Sequence, residues 1–209
     1  MSLCDKTYMT NMTHTSNQKL IPPHGGYKNL ESYKTAVIIY DGTVFFCKSY
    51  MSYTSNKTYT RTYDQMVQAA RSGKQNIVEG SLASGTSKKT ELKLIGVARA
   101  SFGELLEDFE DFLRQRGFGL WSKDSPQSQA VRRLAYRSNK SYTTYKSYIE
   151  SSDSEAAANT LVCLIHQENF LLDQLLRKLE KDFLEKGGFT ERLYDKRSQI
   201  RRLKKGGGV

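Results

Sequence analysis

Ala36-Val-Ile-Ile-Tyr40-Asp41-Gly42-Thr43-Val-Phe-Phe-Cys47 admits two folds. Read with a period of two, it is a pair of β-strands meeting at Asp41-Gly42, a dipeptide suited to a type I′ hairpin turn. Read with a period of 3.6, Leu30, Tyr33, Val37, Tyr40, Val44, Cys47 and Met51 fall at alternating steps of three and four, the seam of a packed helix. Gly42 costs a helix interior about 1 kcal/mol. The seam nevertheless runs unbroken across it, and the stretch is read as helix. A hairpin here would make the protein mixed α and β; a helix leaves nothing in the chain that reads as a sheet.

The same alternation recurs at Tyr59, Tyr63, Met66, Ala70, Gly73 and Ile77, which predicts a second helix ending at Gly80. Ser52 to Thr58 reads as the loop before it, and the Gly/Ser-rich stretch Ser81 to Ser87 as the connection after it. A third helix is predicted from Lys88 to Arg116, with Leu92, Ile95, Phe102, Leu106, Phe109 and Leu113 on its seam and Gly117 and Gly119 ending it. Ser125-Pro126 supplies an N-cap and first-turn pair, opening a Tyr-rich helical segment that reaches Ile149. The last long helix, Ser154 to Lys186, is apolar around more than half its circumference, so a second face is expected to be buried, in a neighbouring subunit. The expected architecture is all-α: an antiparallel, up-down four-helix bundle over residues 28–188, with a helical insertion (117–153) before the last helix. Residues 1–27, with Ile21-Pro-Pro-His-Gly-Gly26 close to their end, read as a flexible leader and 189–209 as a basic tail able to form a short helix.

The 209 residues carry 32 Lys and Arg against 22 Asp and Glu, a net charge of +10. Its distribution is uneven: +4 over 1–80, 0 over 81–124, +4 over 125–151, −3 over 152–188 and +5 over 189–209. A localised patch acts on a partner, whereas diffuse charge chiefly aids solubility. Cys4, Cys47 and Cys163 are too scattered for a disulfide framework or a CxxC metal site. With neither a signal-like apolar segment in the first twenty residues nor a membrane-length apolar run, a cytoplasmic protein with no membrane association is expected.

No sequence motif for catalysis or cofactor binding stands out. Gly80-Ser-Leu-Ala-Ser-Gly-Thr-Ser-Lys88 has the wrong residue order for a phosphate-binding P-loop, and its hydroxyls read as caps for the third helix. Cys163, His166 and Glu168 do not complete a tetrahedral metal set, and His166 reads as a partly buried structural histidine. Arg99 sits on an apolar seam, where an unpaired charge is costly. A register-fixing polar network with Asn76, Glu79 and Glu104 is therefore expected. The acidic run Glu104, Glu107, Asp108, Glu110 and Asp111 reads as a solvated helix face.

The insertion interleaves Arg132, Arg133, Arg137, Lys140 and Lys146 with Tyr136, Tyr142, Tyr145 and Tyr148. Cations track phosphates and rings stack on unpaired bases, so this mixture suits single-stranded nucleic acid, with helix packing as the competing role for the tyrosines. Arg192, Lys196, Arg197, Arg201, Arg202, Lys204 and Lys205 form a second basic patch in the tail.

Taken together, Gln65-Met-Val-Gln-Ala-Ala-Arg-Ser72, Asn76-Ile-Val-Glu-Gly-Ser81, Ser87-Lys-Lys89, Ala98-Arg-Ala-Ser101 and Glu104-Leu105 resemble the bacterial four-helix-bundle family encoded in ribosomal-RNA intervening sequences. That family includes the accessory variability protein of diversity-generating retroelements. The resemblance covers about residues 28–116 and more loosely 154–186, and Leu30-Glu-Ser-Tyr-Lys-Thr-Ala36 fits its first helix. The segment after Gly187-Gly188 resembles the C-terminal suffix of one variant. The resemblance implies no enzymatic activity and a barrel-like homopentamer, with nucleic-acid and reverse-transcriptase binding in the retroelement members. It carries Asn76, Glu79 and Arg99 over as structural positions. The function expected from the sequence is that of a non-enzymatic, oligomeric accessory protein, without cofactor or metal, that binds RNA or DNA through the insertion and the tail. The alternative is a scaffold for a co-encoded enzyme.

Overall fold

The structure, a computed structural model, describes residues 20–51 and 57–206. Among these residues there is no strand, and the secondary structure is helical throughout. The deciding stretch is helix: α1 spans Glu31–Phe46 and continues as a π-helical turn, Cys47–Met51. Then follow α2 (Lys57–Ala83), α3 (Lys88–Gln115), α4 (Pro126–Leu134), α5 (Tyr142–Ile149), α6 (Ser154–Lys186) and α7 (Phe189–Gly206). The predicted loop Ser52 to Thr58 lies mostly outside the described residues, and α2 already begins at Lys57.

Local chemistry accounts for the helix ends. Ser87 caps α3, its hydroxyl accepting from the Thr90 N–H at 3.1 Å. Ser125 caps α4 in the same way through Ser128 N–H, with Pro126 in the first turn. At the end of α3, Gly117 adopts φ +70°, and the N–H groups of Gly117 and Phe118 donate to the carbonyls of Arg114 and Leu113. That is the Schellman pattern, completed by contact between the Phe112 and Phe118 rings at 6.3 Å.

Gly80 does not end α2, which runs on to Ala83. A Cβ at Gly80 would lie 3.3 Å from Ile95 Cδ1 and 3.4 Å from the Glu91 carbonyl, so this glycine lets α2 and α3 approach closely. Gly73 does the same against the Phe102 ring. The order of these pairs, 73 with 102 and 80 with 95, makes α2 and α3 antiparallel.

The core gathers the predicted seams of α2 and α3, but α1 buries a different face from the one its seam marked. Tyr33, Val37, Tyr40 and Val44 are only half-buried, while Ala36, Ile38, Ile39, Gly42, Thr43 and Phe46 are buried. Phe46 of α1 meets Phe109 and Phe112 of α3 with ring centroids 5.0 and 4.8 Å apart, and Met66, Ile77, Leu105, Leu161, Leu164 and Ile165 are buried around them. Fully burying each such side chain contributes about 1.5–3 kcal/mol. Residues 21–26, read as part of a leader, pack on the corner between α2 and α3: the Gly25 N–H donates to the Ser81 carbonyl, and Gly85 lies against His24. Residues 1–19 lie outside the described residues.

Part of the second apolar face of α6, expected to be buried in a neighbouring subunit, is covered within the chain, while Phe170 and Leu184 on the same helix stay exposed. Val131 of α4 and Tyr145 and Ile149 of α5 are buried, and both helices pack on α6. Lys88 near Asp182 and Arg99 bonded to Asp173 set α3 antiparallel to α6. Helix α7 has no extensive interface with any other helix.

Candidate functional site: a cationic cleft beside the insertion

Two side chains of α6 fasten the start of the insertion. Glu155 accepts from the Gly119 N–H at 2.9 Å, and the buried Asn159 accepts from the Trp121 N–H while donating to the Gly119 carbonyl, both at 2.8 Å. The strap so pinned leads into α4, whose Ser128 hydroxyl lies 3.7 Å from the Cys163 sulfur. Between strap, α4 and α6 a cleft of about 640 Å³ opens. Its floor is the outward face of α6, including Val162, Cys163, His166, Phe170 and Leu171. Its walls include Leu120, Trp121, Lys123, Arg132 and Tyr136, and Lys140 closes one end with Thr35 of α1.

The cleft's cations differ in their partners. Lys140 is largely buried and ion-pairs with Glu31 at 3.0 Å, also donating to the Ala135 carbonyl. Arg132 donates to the Lys123 carbonyl at 3.4 Å; among the described residues neither Arg132 nor Lys123 pairs with a carboxylate. Among the described residues no Asp or Glu lines the cleft. Burial raises the Cys163 thiol above its ordinary value, opposed by the Ser128 hydrogen bond and Arg132, so it is no ready thiolate. His166 is exposed at the cleft, not the partly buried structural residue its sequence position suggested.

The predicted nucleic-acid residues divide. Tyr145 is 1% exposed and belongs to the core, so it cannot stack on a base. Tyr142 is half-buried, its hydroxyl donating to Glu150 at 3.0 Å. Lys140 is held by Glu31, and Lys146 lies 3.6 Å from Glu150. Packing took Tyr145 and much of Tyr142 because α5 is pressed between α1 and α6, whereas Lys146 on the same helix stays 59% exposed beside Glu150. Arg132, Arg133 and Arg137 are exposed, beside Tyr136, which is 90% exposed. In α7, Arg197, Arg201, Arg202, Lys204 and Lys205 are exposed and Arg192 and Lys196 half-buried. Gly187 at φ +65° turns the chain from α6, and Glu191 accepts from the Gly188 N–H at the start of α7.

The polar network expected around Arg99 takes another form. Arg99 Nε donates to Asp173 of α6 at 3.1 Å, with both side chains well exposed. Asn76 bonds back to Ser72 on its own helix, and Glu79 and Glu104 are exposed. The buried polar centre lies on α6 instead. Glu168 is 0% exposed, and neither of its oxygens has a hydrogen-bond partner; Gln167 Nε2, Asn169 Oδ1 and Thr43 Oγ1 are likewise unmatched. Burial drives the Glu168 carboxyl well above the usual carboxylate range, opposed by Lys140. Its sequence signal was its place one turn on from Leu164 and Ile165 in the most apolar helix.

The arrangement defines an all-helical protein with a cationic, apolar-floored cleft and a separate basic helix. Among the described residues no group of His, Cys, Asp and Glu is placed to hold a metal, and no helix is long and apolar enough to cross a membrane. Comparison with known proteins gives no match to a family model, a curated protein or a solved structure.

Proposed function

We propose that the protein is a non-enzymatic, self-associating four-helix up-down bundle that binds RNA or DNA through α7. Arg133 of α4 and Arg137 just beyond its end, with Tyr136 beside them, supply a second set of exposed cations. The observation that carries this reading is α7 itself: an outlying helix with five exposed cations (Arg197, Arg201, Arg202, Lys204, Lys205) beside the half-buried Arg192 and Lys196, against Glu191 and Asp195. Such a surface releases counterions from a polyphosphate. The bundle topology is supported by the closed order of neighbours, α1 with α2, α2 with α3, α3 with α6 and α6 with α1. A homopentamer and the role of accessory factor rest on the sequence resemblance. The protein acts in the cytoplasm on this reading.

The test is a titration of single- and double-stranded RNA and DNA at several salt concentrations, on the full chain and on a chain lacking 189–209. Binding that falls steeply with salt and is lost with the tail supports the proposal; binding unchanged by the deletion overturns the assignment to α7. A second reading, a scaffold for a protein partner, is favoured by Leu193, Ile200 and Leu203, which share one face of α7 and which nucleic acid does not require. Nuclease-resistant capture of a co-encoded enzyme, with no binding of purified protein to nucleic acid, would select it.

A further inference from the structure

The cleft between the strap, α4 and α6 is independent of the basic helix, and its chemistry points to another kind of ligand. Its volume of about 640 Å³ lies within the range of small-molecule sites, about 300–1,000 Å³. Three of the protein's exposed large apolar side chains converge on it: Leu120 at 54%, Phe170 at 62% and Tyr136 at 90%. Beneath them Val162 and Trp121 continue the apolar lining. At the same mouth stand Arg132 and Lys123, which among the described residues pair with no carboxylate.

We propose that this cleft binds a small, single-tailed amphipathic carboxylate, its apolar chain against Trp121, Val162 and Phe170 and its headgroup on Arg132 and Lys123. A guanidinium and an ammonium at the rim of an apolar trough complement one anionic group attached to an apolar body. A neutral hydrocarbon would leave those cations unanswered. Helix α7 of a second copy, carrying +5, would be repelled. The absence of lining acids excludes a cationic ligand for the same reason. The insertion thereby acquires a role of its own: Glu155 and Asn159 hold the strap that forms one wall.

Trp121 is the sole tryptophan of the chain and lines the cleft, so its fluorescence reports occupancy directly. The full-length protein is titrated with dodecanoate below micelle formation, with dodecan-1-ol and dodecyltrimethylammonium as neutral and cationic counterparts. A saturable one-to-one change with dodecanoate is expected, about tenfold weaker with dodecan-1-ol and absent with the cation. Replacing Arg132 and Lys123 together by Ala should weaken dodecanoate about tenfold and leave dodecan-1-ol unchanged. Ala135→Phe, which narrows the cleft with both cations intact, should abolish binding of either, its fold checked by circular dichroism. Equal binding of all three amphiphiles, or no effect of the double substitution, overturns the proposal. So does a concentration-dependent Trp121 change without ligand, which would make the cleft an interface between copies. A Trp121 response to phosphatidylglycerol vesicles and not to monomeric dodecanoate would overturn it in favour of a lipid surface.

Discussion

Gly42 of α1 faces Leu161 of α6 so closely that a Cβ at Gly42 would stand 2.7 Å from Leu161 Cδ2 and 3.2 Å from Ile149 Cδ1. The glycine that made α1 ambiguous as a helix is the residue that lets α1, α5 and α6 meet. Gly42→Ala gains about 1 kcal/mol of helix propensity, yet overpacking costs about 1–3 kcal/mol. The net expectation is a lower melting temperature. Gly96, with nothing within 4 Å of its would-be Cβ, is the opposite case. Gly96→Ala should stabilise by about 0.5–1 kcal/mol, and paired urea denaturation curves would separate the two.

Glu168 makes stability depend on pH. Its carboxyl is raised in the folded state, so between its ordinary value and its folded one the native protein holds a proton the unfolded chain has released. The contribution is therefore most favourable at acid pH and is lost as pH rises through the folded pKa. Glu168→Gln keeps the shape and removes the titration. The variant's melting temperature should exceed that of the wild type by a margin that widens from pH 5 to pH 8. A constant margin would show that Glu168 does not titrate in this way.

Arg99 and Asp173 form an exposed pair between α3 and α6, their side chains 37% and 46% accessible. Exposed pairs contribute about 0–1 kcal/mol, whereas breaking a buried one costs about 3–5 kcal/mol. Arg99→Ala should thus fall in the lower range by chemical denaturation. A double-mutant cycle with Asp173→Ala should give a coupling that shrinks in high salt.

Substitutions in the two basic segments should separate packing from binding. Tyr145→Ala, in the core, should cost about 3–5 kcal/mol in denaturation and leave the nucleic-acid affinity of the folded fraction unchanged. Arg201→Ala and Arg202→Ala, both exposed, should leave stability within about 0.5 kcal/mol. Each should reduce the slope of log affinity against log salt by about 1. Loss of affinity from Tyr145→Ala in fully folded protein would return α5 to the binding surface.

The sequence alone placed the long helices and most of their ends, because those depend on neighbours within a turn or two. Ser87 and Ser125 cap through N–H groups three residues on, and Gly117 supplies the positive φ that the last turn of α3 needs. Even the choice of helix at Gly42 was legible from the period of the apolar residues, although the face that α1 buries, with Ala36, Ile39, Thr43 and Phe46, is not the one that seam marked. What helical phase cannot encode is which surface covers a face. Tyr136 and Tyr145 read alike along the chain, yet one is 90% exposed and the other 1%. Only the packing of α5 against α1 and α6 separated them. In the same way Asp173, 74 residues away, replaced the carboxylates expected around Arg99, and the insertion covered part of the second apolar face of α6. The cleft lay beyond reading for that reason, since Trp121, Arg132 and Phe170 are brought to one mouth by tertiary contacts that no local spacing records.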